Sequence, residues 1–309
     1  MTLAFVFPGQ GSQSIGMLNS LASEYPDVEA TYRNASKVLG YDLWDIVQNG
    51  PADKLNSTDI TQPAMLAAGV AVWRVWQAKG GAQPAMLAGH SLGEYTALVC
   101  GGSLAFEDAI NLVAERGRLM QEAVPAGTGA MAAVLGLDDN AVRAACVEAA
   151  TGEVLEAVNF NSPGQVVVAG QKAAVERVVE LAKAKGAKRA LLLPVSVPSH
   201  CALMQPAAEQ LATILQDVAI QAPNIPVINN ADVAAPSEPD AIRDALVRQL
   251  YSPVRWVETI QKMAADGVDR LIECGPGKVL VGLNKRIERN MAAQAVFDPD
   301  SLAAALTEE

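Results

Sequence analysis

Short apolar runs of β type alternate along this chain with longer stretches of helical period, and that alternation restricts the fold to α/β architecture with a mainly parallel sheet. Leu3–Phe7 reads as the first strand, residues 17–39 and 62–79 read as helical, and Pro84–His90 is a short apolar run feeding a helix over Leu92–Cys100. Gly101 and Gly102 end that helix, with Ser103 as the cap of another that reaches about Ala123. Pro125-Ala-Gly-Thr-Gly129 then marks a hinge. Beyond it the order is strand (Met131–Leu137), helix (Asn140–Ala150), two strands around Asn161-Ser-Pro-Gly164, helix (Ala173–Lys185) and strand (Ala190–Val195). That β-α-β-β-α-β order is the ferredoxin-like signature. A small subdomain at 126–196 is therefore expected inside a larger α/β unit formed by 1–125 and 197–309, with the cleft between them as the place for a site.

Composition narrows the function classes. Half of the residues are apolar and 18% are charged, which excludes disordered and coiled-coil chains. With 23 Lys and Arg against 34 Asp and Glu the net charge is −11, which argues against a nucleic-acid partner. The cysteines at 100, 146, 201 and 274 form no CxxC pair and no cluster with histidine, so neither a zinc site nor a disulfide framework is indicated and a reducing compartment fits. The segment MTLAFVFPGQGSQ lacks the basic and long apolar regions of a signal peptide. No window approaches the roughly 18 uninterrupted apolar residues of a membrane span, and the default location is the cytoplasm. The acidic end, Asp298–Glu309, is expected to fray.

Gly89-His-Ser91-Leu-Gly93 matches G-x-S-x-G between a strand and a helix, the context in which the serine stands on a sharp turn. A serine N-cap between turn glycines would look similar locally, but the strand–turn–helix setting favours a nucleophile. The larger unit is expected to be α/β-hydrolase-like, with a mainly parallel sheet. The amide of Leu92, at the start of the helix, points toward an oxyanion formed on an acyl group. Ser91 needs a base, and the chain has two histidines. His90 adjoins Ser91 at a strand end, where neighbouring side chains face opposite ways, so it lines the site rather than activating the serine. His200, in Val197-Pro-Ser-His200 just after the subdomain, is left as the base. Gly9 and Gly11 flank Gln10 and free its amide to act as a second oxyanion donor. This loop fails both the dinucleotide and the Walker patterns, so no nucleotide cofactor is expected.

Arg116 sits in the middle of an apolar stripe made by Ala109, Leu112, Val113, Leu119 and Met120. A buried guanidinium needs an anion, either a carboxylate of the chain or one brought by a substrate.

Taken together, Phe7-Pro-Gly-Gln-Gly-Ser-Gln13, Gly89-His-Ser-Leu-Gly-Glu94, Arg116, Asn161-Ser-Pro-Gly164, Pro198-Ser-His200 and Gly275-Pro-Gly277 resemble the malonyl-CoA:acyl carrier protein transacylases of type II fatty acid synthesis, in family order over nearly the whole chain. The resemblance implies that Ser91 carries the acyl group, that His200 is its base, and that the backbone carbonyl of Gln249 orients His200. It further implies an oxyanion hole from Gln10 and Leu92, Arg116 gripping the malonate carboxylate, and His90 and Asn161 as lesser members of the site. Malonyl-CoA and acyl carrier protein are the implied partners of a monomer that needs no metal and no cofactor beyond the CoA thioester itself.

Carrier proteins are acidic, so an enzyme at −11 needs a basic island to receive one. Lys278, Lys285, Arg286 and Arg289, read as one helix after Gly277, and Lys188 with Arg189 are candidates, although solvated surface charges would look the same. Two rivals stand. An α/β-hydrolase would use Asp138 or Asp139 as the triad acid, but would leave the last third of the chain and the insert without a role. The other rival is a non-catalytic acyl-CoA-binding scaffold.

Overall fold

Strand β1 (Leu3–Phe7) is buried along its whole length, with Phe5 and Phe7 packed into one apolar cluster and Ala4 and Val6 into another. Such a two-sided strand belongs in the centre of a parallel sheet covered on both faces. The computed structural model, which describes residues 2–195 and 197–307, has it there. With β2 (Met86–Gly89), it shares a first sheet with three strands from the last third of the chain. A second, antiparallel sheet holds β3 (Gly129–Leu135), β4 (Leu155–Ser162), β5 (Gln165–Gln171) and β6 (Arg189–Leu192) in the order β4-β5-β3-β6. The late strands of the first sheet are β7 (Val227–Ile228), β8 (Arg270–Cys274) and β9 (Ala292–Val296), and its order is β7-β2-β1-β8-β9 with every pairing parallel.

One face of the parallel sheet packs on helices Thr58–Ala78 and Gly93–Cys100 through Phe5, Phe7, Leu87 and Ile272, and helix Phe106–Glu122 packs on those two helices in turn. The other packs on helices Trp256–Ala265 and Val279–Ile287 through Ala4, Val6, Ala88 and Leu271. The antiparallel sheet buries Ala132, Val134, Val166 and Val168 under helices Asp139–Ala150 and Lys172–Ala184. Its opposite face sets Met131, Val158, Val167 and Ala169 against Cys201, the neighbour of His200. Backbone bonds from Phe160 N to Val254 O (3.0 Å) and from Val254 N to Val158 O (2.8 Å) tie β4 to the segment just beyond Gln249. The second sheet thus holds the two stretches that carry His200 and Gln249.

Several local expectations need correction. The stretch 17–39 is two helices, Asn19–Glu24 and Pro26–Leu39, because Pro26 drives Tyr25 into an extended conformation (φ −125°). Ser103 is not a helix cap: its hydroxyl donates to Gln221 O, and the helix begins at Phe106 after Ala105. Lys278 is the N-cap residue of helix Val279–Ile287 and Arg289 lies beyond its end, so of the four basic residues read as one helix only Lys285 and Arg286 are on it. The acidic end does not fray as a whole. Helix Pro299–Thr307 buries Leu302 and Ala305, while Glu308 and Glu309, like Ser196 at the expected subdomain boundary, lie outside the described residues.

Glu273, in β8, is fully buried; its Oε2 accepts from Val281 N and its Oε1 has no partner among the described residues. Burial pushes its carboxyl up to about 7. A raised folded-state pKa contributes stability that is full at acidic pH and is lost as pH climbs through 7. Compared with wild type, Glu273→Gln should gain stability steadily between pH 5 and 8, by about 3 kcal/mol in total. Urea melts of both proteins across that range measure it, and a difference that stays constant with pH would show that Glu273 ionises normally.

Candidate active site

Three neighbouring strands of the parallel sheet deliver the site at their carboxyl ends, where open α/β sheets present ligands. β1 leads into Pro8-Gly-Gln10, β2 into His90-Ser91, and β7 into Asn229-Asn230. Ser91 stands in the left-handed region at φ +52°, on the sharp turn expected of the motif. The two glycines make this turn sterically possible: a Cβ on Gly89 would lie 1.8 Å from the Gly93 carbonyl carbon, and one on Gly93 would lie 2.1 Å from Phe7 O. Asn230 clamps the turn from both sides. Its Oδ1 accepts from Ser91 N at 2.7 Å and its Nδ2 donates to Gly89 O at 2.7 Å.

Ser91 Oγ lies 2.8 Å from His200 Nε2, and His200 Nδ1 lies 2.8 Å from the backbone carbonyl of Gln249. A carbonyl oxygen only accepts, so Nδ1 carries the proton and the Nε2 lone pair faces the serine hydroxyl. Burial, with the positive charge of Arg116 adding to it, pulls the His200 pKa down to about 3. The imidazole is therefore neutral at neutral pH and free to accept a proton. Of the two acids a hydrolase-type triad would have used, Asp138 caps helix Asp139–Ala150 by accepting from Ala141 N at 2.8 Å and Asp139 is that helix's first residue, while His200 Nδ1 is taken by the Gln249 carbonyl.

His90 points away from the serine: its Nε2 donates to Asn161 Oδ1 at 2.8 Å and its ring leans on Trp256. The loop after β1 packs on the turn so closely that a Cβ on Gly9 would lie 2.5 Å from His90 O. Among the described residues, the amides of Gln10 and Leu92 donate no hydrogen bond within the chain, and both flank the serine turn.

Arg116 is 1% exposed. Among the described residues no carboxylate contacts it: Nη1 donates to Gln62 Oε1 at 2.8 Å and Nη2 to Gln249 Oε1 at 3.0 Å. Nη2 also comes within 3.5 Å of Ser91 Oγ, the guanidinium lies 5.3 Å from the Tyr95 ring centre, and the buried Nε has no acceptor among the described residues. A cation held by neutral amides beside the serine is chemically suited to a substrate carboxylate.

Four polar side chains reach this site without having been singled out in the sequence. Gln62, Asn230, Glu94 and the Gln249 side chain converge from four separate elements. Glu94 stood in the serine motif and Asn230 follows a strand, but Gln62 offered only its polarity within a long apolar helix. No group of three or more His, Cys, Asp or Glu is arranged to hold a metal ion among the described residues. Lys188, Arg189, Lys278, Lys285, Arg286 and Arg289 are all exposed. Arg189 pairs with Leu135 in the sheet register, Leu135 with Gln165, and Arg286 Nη1 donates to Gln165 Oε1 at 2.9 Å, so the two basic groups meet at the Ser162–Gln165 turn.

The acyl transferase domain family matches residues 4–297. The malonyl CoA-acyl carrier protein transacylases of Escherichia coli K12 and Haemophilus influenzae are 61% and 63% identical, over 98% and 97% of each chain. An acyl carrier protein S-malonyltransferase from Vibrio cholerae superposes with a TM-score of 0.96 at 62% identity, covering 98% of this chain and 99% of that one. A malonyl-transacylase solved in complex with its type II polyketide acyl-carrier protein reaches 0.99 at 58% identity over the full length of both. With a serine, a neutral histidine and a buried arginine assembled as above, the chain belongs to the malonyl CoA-acyl carrier protein transacylase family of acyltransferases.

Proposed function

We propose that this enzyme moves a malonyl group from malonyl-CoA to the phosphopantetheine thiol of an acyl carrier protein by a ping-pong route through a malonyl ester on Ser91. The line from Ser91 Oγ through His200 to the Gln249 carbonyl, with Arg116 beside the serine, is the observation that carries this reading. Ser91 Oγ attacks the thioester carbon while its proton passes to His200 Nε2. The amides of Gln10 and Leu92 hold the tetrahedral oxyanion. Cleavage of the C–S bond returns the proton to the CoA thiolate and leaves the ester. The carrier thiol then attacks the ester, losing its proton to His200, which hands it back to Ser91 Oγ. Arg116 grips the malonyl carboxylate throughout, and His90 with Asn161 lines the wall of the site. Because the free carboxylate is bound by a fixed cation, an acetyl group lacks the main anchor.

The element order supports reading 126–196 as a ferredoxin-like subdomain inserted in an α/β-hydrolase-like unit of 1–125 and 197–309. We read the enzyme as a monomer of the cytoplasm that needs no cofactor beyond its CoA thioester substrate. In initial-rate kinetics with both substrates varied, the ping-pong route gives parallel double-reciprocal lines; intersecting lines would mean a ternary complex and no free malonyl-enzyme.

The docking rim for the acidic carrier is Lys188, Arg189, Lys278, Lys285, Arg286 and Arg289, with Arg189 and Arg286 on either side of Gln165. The paired substitution Lys285→Glu and Arg286→Glu should weaken transfer to carrier protein at least about tenfold, most strongly at low salt, while leaving self-acylation by malonyl-CoA intact. Equal loss in both half-reactions would move the docking site elsewhere.

A further inference from the structure

The geometry points to Glu94 as a positioning residue for malonyl selection, acting on Arg116 through the side-chain amide of Gln249; the inference rests on the reading of Arg116 as the carboxylate anchor. Glu94 stands in the first turn of the helix after the serine turn, Gly93–Cys100, and is 2% exposed. Its Oε2 accepts two hydrogen bonds, from Asn230 N at 2.9 Å and from Gln249 Nε2 at 2.7 Å. Gln249 Nε2 also donates to Ser91 O at 3.0 Å.

An amide side chain can turn over and exchange its oxygen with its nitrogen, so its direction is set by its neighbours. Two acceptors, the Glu94 carboxylate and Ser91 O, take the two protons of Gln249 Nε2. The Oε1 end is thereby committed to Arg116 Nη2. The same Glu94 oxygen anchors the backbone of Asn230, whose side chain spans Gly89 O and Ser91 N. One buried carboxylate therefore sets both the turn that presents the serine and the amide that aims the guanidinium.

The spacer has a second effect. A carboxylate in direct contact with Arg116 would have to be displaced by each incoming malonyl group. Placed one amide away, Glu94 still attracts Arg116, and burial remains the stronger influence on both groups, lowering the arginine and raising the carboxyl. Arg116 keeps its buried Nε without a hydrogen-bond partner among the described residues, so a donor remains for a substrate carboxylate. This arrangement offsets the charge without occupying that donor.

The test compares two substitutions that separate charge from reach. Glu94→Asp keeps the charge but withdraws the carboxylate by one methylene, out of bonding distance of Gln249 Nε2. Glu94→Gln loses the charge but leaves an oxygen able to accept both bonds. Ser91 acylation by malonyl-CoA and by acetyl-CoA is measured for each, with kcat and KM separated. Glu94→Asp is expected to lower the malonyl-over-acetyl preference about tenfold, through KM for malonyl-CoA, whereas Glu94→Gln stays within about threefold of wild type. The proposal is overturned if Glu94→Gln loses preference as fully as Glu94→Asp, if Glu94→Asp slows both substrates in the same proportion, or if it changes neither. Arg116→Ala run alongside isolates the underlying reading: a preference unchanged there rejects the arginine's role itself, while a preference lost there but kept in Glu94→Asp rejects only the role of Glu94.

Discussion

Arg116→Ala will lower the preference of Ser91 acylation for malonyl-CoA over acetyl-CoA by about 10²-fold or more. The guanidinium is buried next to Ser91 Oγ and held by two neutral amide oxygens, so among the described residues no carboxylate competes with a substrate for it. Malonyl-CoA loses a buried charge-assisted pair in the variant, worth about 2–5 kcal/mol when one partner is deleted. Acetyl-CoA never made that pair, and its acylation rate should change little. Arg116→Lys is the informative companion. Its ammonium keeps the charge but lacks the planar fork that reaches Gln62, Gln249 and a substrate together, so it should recover only part of the preference. Competition between the two thioesters, read by mass spectrometry of the acyl-enzyme, measures the ratio directly. An unchanged ratio in Arg116→Ala would remove the arginine from substrate selection.

His200→Ala should slow acylation of Ser91 by about 10³-fold or more, because among the described residues no other base reaches the serine hydroxyl. His90, the other histidine of the chain, is turned toward Asn161 and Trp256 and cannot substitute. The depressed pKa of His200 adds a distinctive mark: the wild-type base stays unprotonated far below the usual histidine range, down to about 3. Acylation should therefore show no loss of rate attributable to His200 between pH 7 and 5. The same depression makes the folded state bind fewer protons than the unfolded one in this window, so His200 lowers stability as pH falls below about 6.5. Single-turnover rates of the variant near those of wild type would assign the base elsewhere.

How much of this was legible in the sequence depends on how local each signal is. β1 and β2 announced themselves as compact apolar runs, and the serine turn as a five-residue pattern whose glycines are sterically required. The later strands of the same sheet were not visible. β7 is only Val227–Ile228, and β8, Arg-Leu-Ile-Glu-Cys, carries two charged residues that are nevertheless buried. Arg116 was readable because a cation interrupted a helical apolar stripe. Its partners Gln62 and Gln249 lie 54 and 133 positions away, and no spacing rule links such residues before the chain has folded. The same holds for Asn230, 139 positions from the serine whose amide it receives. The misplaced cap at Ser103 shows the converse: the residue type was right for a cap, but a tertiary bond to Gln221 claimed the hydroxyl.

Central to the account is a malonyl group held on one serine, and the intact mass of the protein after mixing with malonyl-CoA tests it most directly. The expected result is a single malonyl adduct that persists until holo acyl carrier protein is added, then disappears as the carrier gains the same mass, and that never forms in Ser91→Ala. Rapid release of free malonate without carrier would instead mark a thioesterase, and no adduct at all would mark a protein that binds acyl-CoA without turning it over.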